Sequence, residues 1–380
     1  MRSRPASVEP KHDFASYQSL ASDELSSRIR RVKAELGPRL LILGHHYQQD
    51  EVIELADLRG DSYGLSQLAA NNESCQAIVF CGVHFMAETA DILANRPERL
   101  AERGGQRVTV VLPDAAAGCS LADMADLGQV ERCWQELGEV IDTADLMPIT
   151  YVNSAAALKA FCGQRGGLVC TSSNARAALD WAFQRRRRVL FFPDQHLGRN
   201  TARAMGIPLD AMPLWDPRLE PLGGAAPEAI RQSRVILWNG YCSVHQTFRP
   251  EHVMRFRQKF PDIKIMVHPE CTREVVELAD LAGSTSKMIE TVEKSPPGTR
   301  WAIGTELHMV NRLRREHPEQ DIHLLSAAAC MCTTMFRIDL PHLCWAVENL
   351  AAGTPVNVIE VEPATAAGAL EALQRMLEVR

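Results

Sequence analysis

The sequence has no apolar run that approaches the ~20 residues a membrane-crossing helix needs, so no membrane partner is expected. Its opening, MRSRPASVEPKHDF, carries charge and proline with no hydrophobic stretch behind it, and so does not read as a secretion signal. An excess of positive charge is missing too. There are 41 basic and 47 acidic residues, a net charge of −6, which argues against a nucleic-acid partner held by phosphate contacts. A small anionic substrate stays open, because a pocket can be locally positive on an acidic protein. No GxGxxG or P-loop pattern is present, so nucleotides are not favoured. There is no CxxC pair either. The 11 cysteines are an odd number and follow no secretion signal. They point to a reducing compartment, with a cytoplasmic location expected, and to buried thiols, metal ligands or redox groups in place of a disulfide framework.

What is there is globular: 46% hydrophobic and 23% charged residues over 380 positions. At ~150 residues per domain this suggests two or three units. An internal repeat gives the number. LILGHHYQQDEVIELADLRGDSYGLS, from Leu40, and IMVHPECTREVVELADLAGSTSKMI, from Ile265, share a strand, a histidine, a helix and a hydroxyl. His45 to Ser62 and His268 to Thr285 are both 17 residues. A degenerate copy runs from Ile149, with Tyr151 and Asn153 in place of the histidine and Ser172 in place of the hydroxyl. The next strand of each copy leads to a histidine that opens a helix: His84, His196 and His308, at equal intervals of 112.

Each unit therefore reads as alternating strands and helices, which requires parallel pairing with helices packed on the sheet. Right-handed crossovers put the loops after the strands on one edge, where ligands bind in open α/β sheets. The expected fold class is α/β: three homologous units with short parallel sheets, their carboxyl edges turned toward one central active site. The expected divisions are a disordered or loosely held tail over 1–20, a first unit with an N-terminal helix over 21–145, a second over 146–240 and a third with C-terminal helices over 241–380. Ser22 reads as the N-cap of the first helix, with Leu25, Ile29, Val32 and Leu36 on one face. The Pro/Gly-rich stretch 206–227 reads as an irregular insertion. The basic run from Arg185 to Arg188 reads as a solvated helix end.

Three kinds of group carry chemistry. The hydroxyl clusters GDSYGLS, CTSSNA and AGSTSKM precede helices, where free N–H groups suit phosphate or carboxylate; ordinary N-capping accounts for any one of them, but three equivalents favour anion binding. Cys119, Cys242 and Cys332 each follow an apolar strand and a small-residue turn. Three converging thiolates can hold an iron–sulfur cluster and leave one iron open as a Lewis acid; zinc is the alternative on ligand type. Cys75, Cys81, Cys133, Cys162, Cys170 and Cys344 read as inert thiols on helices or within strands, and Cys271 as ambiguous. Finally, His45, Tyr47, His268 and Glu270 follow strands, at positions for proton transfer and carboxylate binding. His84, His196 and His308 read as structural.

These motifs together (HHYQ with GDS, AGCSLADM, TYVNS, CTSSNA, NGYCSVH, HPEC, AGSTSKM and RIDLPHLCWAVE) resemble the quinolinate synthase family from about Leu40 to Leu350. The resemblance implies three α/β units around a pseudo-threefold axis and one 4Fe–4S cluster per chain on Cys119, Cys242 and Cys332. It implies condensation of iminoaspartate (iminosuccinate) with dihydroxyacetone phosphate to quinolinate for NAD synthesis, with loss of phosphate and water. Substrate binding is implied for His45, Ser62, Tyr151, Asn153, Ser172, His268, Glu270 and Thr285, and catalysis for Tyr47, Glu270 and His268. A transient contact with L-aspartate oxidase, the source of the imine, is a further expectation. Two departures stand out. The third ligand lies in Cys330-Met331-Cys332, where Cys332 is the choice over Cys330, and cysteines so close in sequence bond poorly to each other. The gap from Cys119 to Cys242 is long, which the Pro/Gly insertion explains. The rival readings are an iron–sulfur hydro-lyase on a small hydroxy acid and a non-enzymatic sensor; no nucleic-acid-binding module supports the latter.

Overall fold

The structure is a computed structural model, and it describes residues 9–326 and 331–379. Three sheets are formed. The first runs Val358–Ile359, Thr109–Val111, Ala77–Cys81, Leu40–His45, Leu58–Gly60; the second Leu168–Cys170, Leu146–Tyr151, Arg188–Phe192, Val235–Trp238, Leu214–Trp215; the third Leu281–Ala282, Lys264–Val267, Arg300–Gly304, Asp321–Leu324. Numbered along the chain within each copy, all three share the order 2-1-3-4, with parallel pairing. The repeat seen in sequence is thus a repeat of topology. The cause is the buried apolar strand flanked by a crossover helix, which settles only one way on a twisted sheet.

Two additions distinguish the sheets. Val358–Ile359 joins the first sheet antiparallel to Thr109–Val111. Leu214–Trp215 adds an edge strand to the second. The Pro/Gly-rich stretch is therefore not wholly irregular. Trp215 is fully buried and stacks on Trp238 with ring centroids 4.8 Å apart, which explains why the insertion holds a fixed path.

The chain divides into two compact units. One comprises Met1–Gly118 and Thr333–Val361; the other comprises Cys119–Cys332 and Glu362–Arg380. In the first, the helix Ser22–Leu36 buries Leu25, Ile29 and Val32 and packs on the helix Leu340–Ala351. Its N-cap is Ala21, one residue before the expected Ser22. The expected loose tail does not extend to residues 9–20. Tyr17 is fully buried, and its hydroxyl donates to Glu348 at 2.6 Å. Phe14 stacks on His342, and the His12 amide donates to Asn349 at 3.0 Å. Glu348 also takes a two-nitrogen clasp from Arg28, which offsets the cost of burying the carboxylate. The stretch 333–361 belongs to this unit and does not stay with the third sheet.

In the second unit the C-terminal helix Pro363–Glu378 lies on the helix Ala156–Gln164. The approach is close enough that a Cβ on Gly163 would sit 1.9 Å from the Gly368 carbonyl oxygen, so glycine is required there. The basic run departs from expectation at its end. Arg185, Arg186 and Arg187 are exposed after the helix Ala175–Phe183, but Arg188 opens a strand, is buried, and donates to the Arg231 carbonyl at 2.6 Å.

Candidate active site and cysteine cluster

The first strand of each copy ends at the residues singled out for chemistry. His45 closes Leu40–His45, Tyr151 closes Leu146–Tyr151, and His268 follows Lys264–Val267. In two copies the chain then makes the same turn. The Tyr47 amide donates to His45 Nδ1 at 3.1 Å, and the Glu270 amide donates to His268 Nδ1 at 3.3 Å. An Nδ1 that accepts leaves the proton of the neutral ring on Nε2. Tyr47 and Glu270 therefore hold one position in the repeat, two residues past a histidine of defined tautomer. Asn153 holds it in the middle copy, and its Oδ1 is buried without a hydrogen-bond partner.

Glu270 is the hub of the second unit's cluster and only 2% exposed. Its Oε2 lies 2.8 Å from His245 Nδ1 and 3.9 Å from His268 Nδ1, and the Tyr151 hydroxyl donates to it. Burial works against its charge, but His268 and His245 more than offset this, and the carboxyl is held down at about 2. His245 stacks on His268, ring centroids 4.4 Å apart, and its Nε2 meets Thr305 Oγ1 at 3.3 Å. Sequence reasoning overlooked His245 although it ends the quoted motif NGYCSVH.

The second strand of each copy leads to the hydroxyls. Ser62 and Thr285 are the first residues of their helices, but the caps are made one residue earlier. Asp61 accepts from the Gly64 amide at 2.8 Å, and Ser284 from the Lys287 amide at 3.3 Å. In the middle copy Ser172 lies between Leu168–Cys170 and Ala175–Phe183, and Asn174 Oδ1 accepts from the Thr171 amide at 2.8 Å. Capping therefore does not account for Ser62 or Thr285.

The fourth strand of each copy leads to a cysteine. Short 3₁₀ turns begin three residues after Cys119, Cys242 and Cys332, at Ala122, His245 and Met335. Helices begin eight residues after each, at Leu127, Pro250 and Leu340. This spacing selects Cys332; counted from Cys330 it fails. The sequence carried the signal as CSLADMADL, CSVHQTFRP and CTTMFRIDL. Cys330 itself lies outside the described residues.

The three thiols sense one another. Burial, with a smaller contribution from the charge of Cys332, pushes Cys119 up to about 12. Cys242 is pushed well above the usual thiol range by burial, then by Glu270, Cys119 and Cys332. The amide of the residue three positions on, Ala122 or His245, opposes this by donating to the sulfur. Cys242 and Cys332 both pack at the margin of the apolar cluster around Phe248, Ile265 and Val267. Ligand atoms of Cys242, His245 and Glu270 also lie within 4.8 Å of one another. That mixed set is a poor rival metal site, because both ring nitrogens of His245 are already engaged.

Cys271 stands apart from the repeated cysteine turn. It is fully buried in the same apolar cluster, with Sγ 3.8 Å from the Gly304 carbonyl oxygen. Cys81, Cys133, Cys162, Cys170 and Cys344 are buried on helices or strands as expected, whereas Cys75 is buried in a connection. His84, His196 and His308 all stand in the first turn of a helix.

Comparison with known proteins matches residues 27–378 to the family model described as Quinolinate synthetase A protein. The chain belongs to the quinolinate synthase family. It is 63% identical over 373 residues to the quinolinate synthase of Rhodopirellula baltica, covering 98% of this chain and 95% of that one. The quinolinate synthase of Herpetosiphon aurantiacus is 52% identical, with 96% and 94% covered, and that of Corynebacterium glutamicum 50%, with 96% and 89% covered. The match extends beyond Leu40–Leu350 at both ends. It takes in the first helix and the C-terminal helix, so the quinolinate synthase family likeness covers both compact units. Among the described residues, no helix is long and apolar enough to cross a membrane.

Proposed function

We propose that this chain is an enzyme that condenses iminoaspartate with dihydroxyacetone phosphate to quinolinate, releasing phosphate and water, for NAD synthesis. The carrying observation is the threefold recurrence of one loop, strand then cysteine then 3₁₀ turn, beside the buried Glu270 cluster. Three thiols that repel one another as thiolates form a donor set that only a cation satisfies, and sulfur donors suit iron. In this reading Cys119, Cys242 and Cys332 hold the 4Fe–4S cluster. When bound, it supplies Lewis acidity for loss of a substrate hydroxyl.

The chain's own residues do the rest. Ser62 and Thr285, at helix starts capped by the preceding residue, and Ser172, in the loop before its helix, bind the carboxylate and phosphate oxygens. Tyr151, Asn153 and His268 orient the imine, and the unpartnered Asn153 Oδ1 is an acceptor suited to an imine or enamine N–H. His45 and His268 present Nε2–H donors. Glu270, kept ionised by two histidines, accepts a proton at a carboxylate oxygen, and Tyr47 supplies or takes one at its hydroxyl. Burial of His45, Tyr151, His268, Glu270 and Thr285 helps to exclude water from labile intermediates. An L-aspartate oxidase is the partner that supplies the imine, by transient contact.

The test is anaerobic reconstitution of the full chain with iron and sulfide, then assay with both substrates. Quinolinate and stoichiometric phosphate are expected. A loaded protein that forms neither, or that dehydrates a simple hydroxy acid instead, refutes the assignment.

A further inference from the structure

Two buried carboxylates recur at one position of the repeat. Asp194 and Glu306 are both fully buried and stand 112 residues apart, the interval that separates His196 from His308. Each follows the third strand of its sheet and caps the next helix. Asp194 Oδ1 accepts from the Leu197 amide at 2.7 Å; Glu306 Oε2 accepts from the His308 amide at 2.7 Å and the Met309 amide at 3.3 Å. A neutral Asn or Ser caps as well without bringing a charge out of water. Capping alone therefore does not explain two buried acids.

Their second oxygens face the cysteine loops of the neighbouring strands. Glu306 Oε1 lies 3.5 Å from the Cys332 amide nitrogen. Asp194 Oδ2 is buried without a partner at hydrogen-bond distance, and the backbone of Asp194 bridges in parallel to Gly240, two residues before Cys242. The two segments, 193–195 and 239–240, are held tightly at this point. Gln195 N donates to the Gly240 carbonyl at 2.9 Å and Gln195 Nε2 to Asn239 Oδ1 at 2.6 Å. A Cβ on Gly240 would sit 2.3 Å from the Pro193 carbonyl oxygen, so only glycine allows the approach. In the first copy the equivalent position is Gly82. There a backbone bond alone, His84 N to the Ala117 carbonyl at 2.8 Å, reaches the loop two residues before the cysteine.

We infer that Asp194 and Glu306 are positioning residues that fix the backbone of the Cys242 and Cys332 loops for cluster binding, each tying a helix cap to a ligand-bearing loop. The inference rests on the reading of these cysteines as cluster ligands. An acceptor held against the amide of a ligand cysteine orders the loop before the cluster arrives and slows its departure.

Asp194→Asn and Glu306→Gln are the decisive variants. Each keeps the capping oxygen and replaces the other with an NH₂ donor that opposes the cysteine amide. Full-length proteins reconstituted anaerobically are compared by the rate of iron release to a ferrous chelator, the electron paramagnetic resonance spectrum of the reduced cluster, and the thermal midpoint. Several-fold faster iron release and a changed spectrum are expected, with a near-wild-type midpoint. Glu306→Asp, which keeps the carboxyl but shortens its reach, is expected to release iron faster too. Glu362→Gln, at the cap of the C-terminal helix, is expected to behave as wild type. Wild-type release rates and spectra in both Asp194→Asn and Glu306→Gln would overturn the inference and leave the cluster assignment standing. A wild-type protein that takes up no acid-labile sulfide would overturn the cluster assignment, and this inference with it.

Discussion

The first and third copies of the repeat use one backbone turn for two chemistries. In each, a histidine at a strand end takes an amide hydrogen bond at Nδ1 from the residue two positions on. In the first copy that residue is Tyr47, whose ring meets His45 edge-on at 4.8 Å. In the third it is Glu270, enclosed by His245, His268 and Tyr151. The turn fixes the histidine tautomer in both, so the fold supplies the donor twice. What differs is the second group: a phenol in one, and in the other a carboxylate that burial would neutralise were it not for its two histidines. Duplication here preserved a scaffold and freed one position to vary.

The cysteines offer the strongest way to break the comparison. Cys242 and Cys271 both lie near the third copy's core, and only the first has the repeated turn behind it. Cys242→Ala is expected to lose all cluster iron and all activity, measured by iron and sulfide content and visible absorption. Cys271→Ala is expected to keep both and cost about 1 kcal/mol in stability through lost packing. Cys332→Ala should lose iron as Cys242→Ala does, and Cys330→Ala should retain it.

The proton-transfer pair sharpens it next. Glu270→Gln keeps shape and loses the base, and kcat is expected to fall about 10²–10⁴-fold with the cluster spectrum unchanged. Tyr47→Phe removes one hydroxyl and leaves the His45 turn intact, because Tyr47 donates to His45 Nδ1 through its backbone amide. Its expected effect is a smaller loss of kcat with unchanged secondary structure by circular dichroism. Equal losses would mean that the two positions act as one unit.

These expectations also mark how far the sequence could be read. The alternation of strands and helices, the helix-opening histidines and the cysteines after the fourth strands were legible, because each rests on a local pattern repeated along the chain. His245 was not, because the repeat has no histidine to compare with it: Ala122 and Met335 hold the same place. The caps Asp61 and Ser284 were hidden among neighbouring hydroxyls whose roles a string of letters does not separate. The return of residues 333–361 to the first unit depends on long-range packing around Glu348 and Trp345, which no local period encodes. His245→Gln tests the residue that was missed. It keeps a hydrogen-bond donor toward Glu270 but lacks the imidazole ring. We expect kcat to fall about tenfold, with the acid limb of the pH–rate profile shifted upward as Glu270 loses part of what holds it down.

The smallest expected effect lies in the three helix-opening histidines. They share a position but not an environment, since His84 is exposed, His308 partly buried and His196 buried. Burial, helped by the Arg199 charge, lowers His196 from 6.5 to about 4. In the unfolded chain it takes up a proton near its ordinary pKa, so between about pH 6.5 and 4 the unfolded state binds more protons than the folded one. Stability therefore falls as pH drops through that window, by about 2 kcal/mol at pH 5 from this residue alone. His196→Gln retains an acceptor for Arg199, whose Nη1 lies 3.5 Å from His196 Nδ1, and cannot titrate. The variant should be slightly less stable than wild type at pH 8, because a packed ring is lost, and should lose less on acidification to pH 5, as read from chemical-denaturation midpoints at the two pH values. Identical acid sensitivity in the two proteins would show that the buried ring does not resist protonation, and that the three copies differ less in their interiors than their burial suggests.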